Sequence, residues 1–176
     1  MNAARHPVTI VGAGPGGLLA AMRLSQLGIP VRVLERATFP RHKVCGDILT
    51  SNVLRALHEL NPELIEDLKA QPWIMELKAT AFGSAKKAGF VMPFHSPSNA
   101  RLGLPSCLSA RRLHFDEWLY EAALGMGIEV LQGSTVKRVE QSASDFVLET
   151  NLGEFRTDYL ILATGANSAL VREMVP

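Results

Sequence analysis

The stretch VTIVGAGPGGLLAAMRLSQLG, residues 8–28, constrains the fold more than any other part of the chain. Residues 8–11 are a short β-branched run that stops at a glycine, the pattern of a fully buried strand. Leu18, Leu19, Met22, Leu24 and Leu27 then recur at near-helical spacing, and Gly28 supplies a stop. A second apolar run, VRVLE at 31–35, follows at once. Strand, helix and strand within roughly 30 residues make a βαβ unit. Its strands are expected to be parallel with a right-handed crossover, because right-twisted strands feeding a right-handed helix pack back onto the sheet that way. The expected class is α/β.

The turn between strand and helix reads Gly12-Ala13-Gly14-Pro15-Gly16-Gly17, which fits GxGxxG at 12, 14 and 17. Alone the pattern is weak. Between a strand and a helix, with an acid closing the next strand, it is a dinucleotide-binding fingerprint. Gly12 allows the tight turn, Gly14 lets a pyrophosphate approach the backbone, and Gly17 lets the helix pack close to the strand. The free N–H groups and the dipole at the helix start favour phosphate. Glu35 stands where an acid accepts hydrogen bonds from a ribose. The bland alternative is a structural glycine turn beside a solvated glutamate, and the coincidence of features weighs against it.

Residues 36–47 contain Pro40 and Gly46 without an apolar period and are expected to form a loop, which holds the cluster PRHKVCGD at 40–47. Helices are expected at 48–60, with Thr50 or Ser51 as N-cap, and at 63–70, separated by Asn61-Pro62. Residues 72–109 are rich in Gly, Pro, Ser and aromatics and are expected to be antiparallel strands of a second layer or of part of another domain. A helix over 112–126 follows, then strands at 128–131, 135–140, 145–150 and 154–156, and a last apolar strand, YLILA, at 159–163. The expected division is a dinucleotide domain of residues 1–71 and 110–176, with 72–109 as an insertion.

Several function classes lose support. A net charge of +1 over 176 residues calls for neither nucleic acid nor an anionic membrane. The two cysteines, Cys45 and Cys107, lack CxxC spacing. The five histidines lack metal-ligand spacing, so no metal site is expected. No GxSxG elbow supports nucleophilic hydrolysis. No apolar run is long enough to span a bilayer, and the N-terminus lacks signal-peptide form. A cytoplasmic protein is the expectation, with peripheral visits to a membrane compatible with a lipid-like substrate. Asp116-Glu117 read as a helix face, Trp73 and Trp118 as core or interface anchors, and His95 and Cys107 as packing residues rather than substrate contacts.

VTIVGAGPGGLLAAMRLSQLGIPVRVLER, FPRHKVCGDIL, RRLHFDEWL and YLILATGANSALVR together resemble the geranylgeranyl reductase family of FAD-dependent oxidoreductases. That family lies within a larger group holding aromatic-ring hydroxylases and flavin-dependent halogenases. The loop P-R-x-K-x-C-G-D is the most specific part of the resemblance. The resemblance implies a three-layer, Rossmann-like FAD-binding domain whose strand-rich insertion belongs to a substrate domain. Gly12, Gly14 and Gly17, with Pro15 and Gly16 between them, would hold the pyrophosphate and Glu35 the adenosine ribose. Arg36 would lie beside the adenine and Val136 near it. Arg112, in the R-x-x-F-D pattern with Phe115 and Asp116, would face the ribityl–pyrophosphate region.

In the specific loop, Arg41 and Lys43 are candidate anion contacts, Gly46 a close-approach point and Asp47 an acid at the start of the helix over 48–60. Cys45 has two open readings, a small packing residue or a thiol near the flavin or substrate with its pKa lowered by Arg41 and Lys43. The final motif departs from the family. An acid usually precedes the glycine there, and Ala163-Thr164-Gly165 stands in its place, so the ribityl contact at Thr164 and Gly165 should be weaker or made by backbone.

The implied activity is hydride transfer from reduced FAD to an apolar, isoprenoid-like small molecule. Electrons would come from transiently bound NAD(P)H or from a donor protein such as ferredoxin. The rival readings are a flavin monooxygenase or halogenase, although the halogenase signature W-x-W-x-I-P is absent, and a non-catalytic FAD-binding module or subunit that needs a partner.

Overall fold

The computed structural model describes residues 7–43, 46–84, 87–166 and 168–174. In chain order the elements begin with β1 (Val8–Val11), α1 (Pro15–Gln26) and β2 (Val31–Glu35). There follow β3 (Ile48–Thr50), α2 (Ser51–Leu60), α3 (Pro62–Ala70), β4 (Met75–Glu76), β5 (Ala79–Ser84), β6 (Lys87–Pro93), α4 (Pro97–Arg101) and β7 (Cys107–Ser109). The chain continues through α5 (Arg112–Gly125), β8 (Glu129–Gln132), β9 (Val136–Gln141), β10 (Phe146–Thr150), β11 (Gly153–Thr157), β12 (Tyr159–Leu162) and α6 (Ala169–Met174). No helix among the described residues is long and apolar enough to cross a membrane.

The chain divides into two compact units, Met1–Arg41 with Asp116–Pro176, and His42–Phe115. The first is built on a parallel sheet of order β12-β1-β2-β8. All four residues of β1 and all five of β2 are buried, as strands covered on both faces must be. In register, Val11 pairs with Leu34 and Ile10 with Val33. Because side chains alternate along a strand, these two pairs point to opposite faces. Val11 and Leu34 form a core cluster with Leu148 and Phe155 of the antiparallel meander β9-β10-β11. The opposite face is left for α1, which buries Gly17, Leu18, Ala21 and Met22. The result is helix, parallel sheet and meander, the three-layer α/β arrangement that the family resemblance implied.

The second unit holds a three-stranded sheet, β3-β7-β4, the hairpin β5-β6, and the helices α2, α3 and α4. Asn61-Pro62 ends α2 and begins α3, where the Asn61 side chain accepts a hydrogen bond from the Glu63 N–H at 3.0 Å. The helix expected over 48–60 starts only at Ser51. Ile48–Thr50 instead pairs antiparallel with β7, and its exposed–buried–exposed pattern is that of a strand with Leu49 turned inward. Thr50 is the N-cap position of α2, without a side-chain cap bond. The short helices α4 and α6 were not legible in the sequence, since neither is long enough to show a period.

Candidate functional site

The glycine turn sits where β1 stops. The Gly12 N–H donates to the Leu34 carbonyl at 2.8 Å, and the Ala163 N–H donates to the Val11 carbonyl at 2.8 Å. The turn is therefore tied to the ends of β2 and β12 on either side. Gly12 has φ +106°, and a Cβ there would lie 2.5 Å from the Ala163 carbonyl oxygen, so only glycine fits. A Cβ on Gly17 would lie 2.0 Å from the Gly12 carbonyl oxygen, which makes Gly17 the close-packing point of α1 on its own turn.

Gly14, the N-cap of α1, has an ordinary extended backbone with φ −75° and ψ 175°. Its conformation does not demand glycine. Around a Cβ at Gly16 there is nothing within 4 Å, so the turn is open on that side. Pro15 starts the helix, no side chain caps it, and its first turn holds no acid. The positive end of α1 therefore carries no side-chain cap and no acid of its own.

Glu35 closes on this turn. Its Oε2 accepts the Ala13 N–H at 2.7 Å, and its Oε1 accepts the Ala37 N–H at 3.0 Å. Beyond it, the segment 36–41 is pinned to the sheet. The Ser134 N–H donates to the Glu35 carbonyl, and the Gly133 N–H to that of Ala37. The Phe39 N–H donates to Gln132 Oε1 at 2.6 Å, and the Gln132 amide donates to the Tyr120 hydroxyl at 2.5 Å. The Phe39 and Tyr120 rings stack at 4.7 Å with an interplanar angle of 7°.

Arg41 lies at the end of that segment with its side chain largely buried. It reaches Asp116 Oδ2 at 3.3 Å, the Ala13 carbonyl at 3.4 Å and the face of Phe39 at 5.0 Å. Asp116, read from sequence as part of a helix face, has no exposed surface. A pairing partner makes that burial tolerable.

The remaining sequence candidates separate. Arg36 is exposed. Val136 turns its side chain into the core between sheet and meander. The Thr164 Oγ1 is buried without a hydrogen-bond partner among the described residues, and Gly165 is exposed with φ +88°. In the second unit Lys43, Gly46 and Asp47 are exposed and Arg112 is buried. Asp47 does not serve α2 as expected from its place before residues 48–60. Its Oδ1 accepts the Arg112 N–H at 3.2 Å, so it caps the first turn of α5, because β3 intervenes before α2. His95 is exposed rather than packed, while Cys107 is buried and burial pushes its thiol above the ordinary range. Cys45 lies outside the described residues.

Ala13, Ala37, Phe39, Tyr120 and Gln132 escaped the sequence reading. Backbone donors and local stacking leave no composition signal. Asp116 did leave one, since it falls between Phe115 and Leu119, both wholly buried on the same helix.

The family model described as pyridine nucleotide-disulphide oxidoreductase matches residues 6–175. The chain belongs to this family. A menaquinone reductase of Mycobacterium tuberculosis is 31% identical over 177 residues, covering 95% of this chain and 39% of its own length. The FAD-dependent monooxygenase pytG of Aspergillus terreus is 32% identical over 169 residues, covering 94% of this chain and 49% of its own length. The flavin-dependent halogenase CmlS superposes with a TM-score of 0.81 at 26% identity, over 97% of this chain and 31% of that one. The chain thus spans less than half the length of each of these proteins. A dinucleotide fits the residues present: an uncapped helix end, a glycine turn open at Gly16, and a buried acid beside them.

Proposed function

We propose that this chain is the FAD-holding part of an oxidoreductase acting on an apolar, isoprenoid-like small molecule, in the reductase branch that the P-R-x-K-x-C-G-D loop resembles. The observation that carries this reading is the 2.7 Å bond from the Ala13 N–H to the Glu35 carboxylate, which sets an acid beside the open glycine turn. Gly12, Gly14, Pro15, Gly16 and Gly17 hold the pyrophosphate. Glu35 takes the adenosine ribose, because each carboxylate oxygen keeps a lone pair after bonding Ala13 and Ala37. Arg36 and the backbone of Val136 flank the adenine. Thr164 and Gly165 meet the ribityl chain through backbone, since the Thr164 hydroxyl is turned inward. The family resemblance adds Lys43, Cys45, Gly46, Asp47 and Arg112 to the cofactor contacts.

When bound, FAD supplies the hydride chemistry, and the chain's own residues bind and orient it. The menaquinone reductase likeness supports an isoprenoid-bearing substrate, because a menaquinone carries a polyisoprenoid tail. Residues 72–109 form the first piece of a substrate-facing layer in this reading. Support comes from the hairpin β5-β6, which exposes Phe82, Phe90, Val91 and Met92, an apolar surface that further protein or substrate would cover. The electron source is NAD(P)H or a donor protein.

Titration of the chain with FAD, followed by quenching of flavin fluorescence, tests the reading. Saturable binding that disappears in Gly14→Val, with an unchanged circular dichroism spectrum, is expected. Absence of uptake by the unsubstituted chain would overturn it. A second reading, a flavin monooxygenase, is favoured by the 32% identity to pytG. Oxygen consumption by the FAD-loaded chain with NAD(P)H and an aromatic substrate would select it over the reductase.

A further inference from the structure

Arg41 stands between two carboxylates at unequal distances. Its Nη1 lies 3.3 Å from Asp116 Oδ2, whereas its Nε lies 3.8 Å from Glu35 Oε1. That Nε is buried and has no hydrogen-bond partner among the described residues. At 3.8 Å the two charges form an ion pair without a hydrogen bond, so the guanidinium is kept from closing onto Glu35 at ordinary hydrogen-bond distance. Three groups hold it there. Asp116 draws the guanidinium from one side, the Ala13 carbonyl accepts from Nη2 at 3.4 Å, and the Phe39 ring supports its face at 5.0 Å.

We infer that Asp116 is a positioning residue acting through Arg41, one that keeps the guanidinium off Glu35 so that the Glu35 oxygens stay available to ribose hydroxyls. The inference rests on the proposed ribose role of Glu35. Without the Asp116 charge, the nearest anion to Arg41 is Glu35. The guanidinium then swings onto it and occupies the lone pairs that the ribose needs. Asp116 itself touches no ligand in this account.

The test compares ADP with 2′,3′-dideoxy-ADP on the full chain by isothermal titration, because the two probes differ only in the hydroxyls that Glu35 would accept. The unsubstituted chain is expected to prefer ADP by about tenfold or more, the scale of a hydrogen bond to a charged group. Asp116→Asn is expected to bring that ratio close to one. The neutral pair Arg41→Gln with Asp116→Asn is expected to restore it, because no cation remains to collapse onto Glu35. It also serves as the working variant if Asp116→Asn alone does not fold. A purely structural Asp116 would weaken both ligands alike, and a ratio retained in Asp116→Asn overturns the inference while leaving the ribose role intact. A ratio lost in the neutral pair overturns it too, since Arg41 itself would then be what Glu35 requires. No preference for ADP in the unsubstituted chain removes the ribose role of Glu35, and the inference with it.

Discussion

Glu35 Oε2 and the Ala13 N–H are joined at 2.7 Å, so the acid that ends β2 also fixes the second residue of the glycine turn. One side chain therefore serves both the shape of the turn and the charge beside it. Glu35→Gln keeps an oxygen for Ala13 but presents a neutral amide to ribose. FAD affinity should fall by about tenfold or more, corresponding to roughly 1.5–3 kcal/mol for a charged hydrogen bond. Fluorescence titration with FAD checks it, and unchanged affinity would exclude the ribose role.

Two glycines only one residue apart should respond oppositely to alanine. At Gly17 a methyl group meets the Gly12 carbonyl oxygen at 2.0 Å, backbone that cannot yield without moving α1 off β1. Gly17→Ala should destabilise the chain by about 1–3 kcal/mol or more, the scale of an overpacked core. At Gly16 the same methyl group has open space, and alanine suits a helix interior better than glycine. Gly16→Ala should leave the denaturation midpoint unchanged or slightly raised while weakening FAD binding. Urea titration of both variants decides.

The stack of Phe39 on Tyr120 should be a coupled unit. Ring centroids at 4.7 Å and nearly parallel planes predict an interaction beyond simple burial of about 0.5–1.5 kcal/mol. A double-mutant cycle with Phe39→Leu and Tyr120→Leu reads that coupling directly. Additive losses would show that the two rings merely lie side by side.

Cys107 gives a pH dependence whose sign follows from its burial. Desolvation raises the thiol pKa in the folded chain above its unfolded value. Below the unfolded thiol pKa both states keep the proton, and the group adds no pH dependence. Above it the unfolded chain ionises first, so stability falls as pH rises through the folded pKa. Urea midpoints compared at neutral and strongly alkaline pH should drop more for the unsubstituted chain than for Cys107→Ala. Equal drops would place the effect elsewhere.

The parts of this molecule that were legible in the sequence are those with a period or a fixed spacing. The alternation between strand and helix from Val8 to Glu35 gave the parallel pair, and the glycine spacing gave the turn. Asp47 shows the limit. Placed just ahead of a helical pattern, it read as that helix's acid, but a three-residue strand is too short to leave a period, and the carboxylate serves α5 instead. Asp116 shows the other limit. The buried Phe115 and Leu119 on its helix hint at its burial, but nothing local names a partner, because Arg41 comes from a loop far away in the chain. Contacts that cross the sequence by backbone groups, such as Ala13 with Glu35, carry no residue-type signature at all.

The pairing of β1 with β12 bears on how the chain can be made. One edge of β1 is satisfied by β2 almost immediately, but the other waits for residues 159–162. On the ribosome, this βαβ unit therefore emerges with an apolar strand edge that has nothing to close it until residues 159–162 follow. Such an edge is a template for another nascent chain. Synthesis arrested anywhere before Tyr159 should release a product that associates through β1, whereas release after Leu162 lets the same strand find its partner within its own chain.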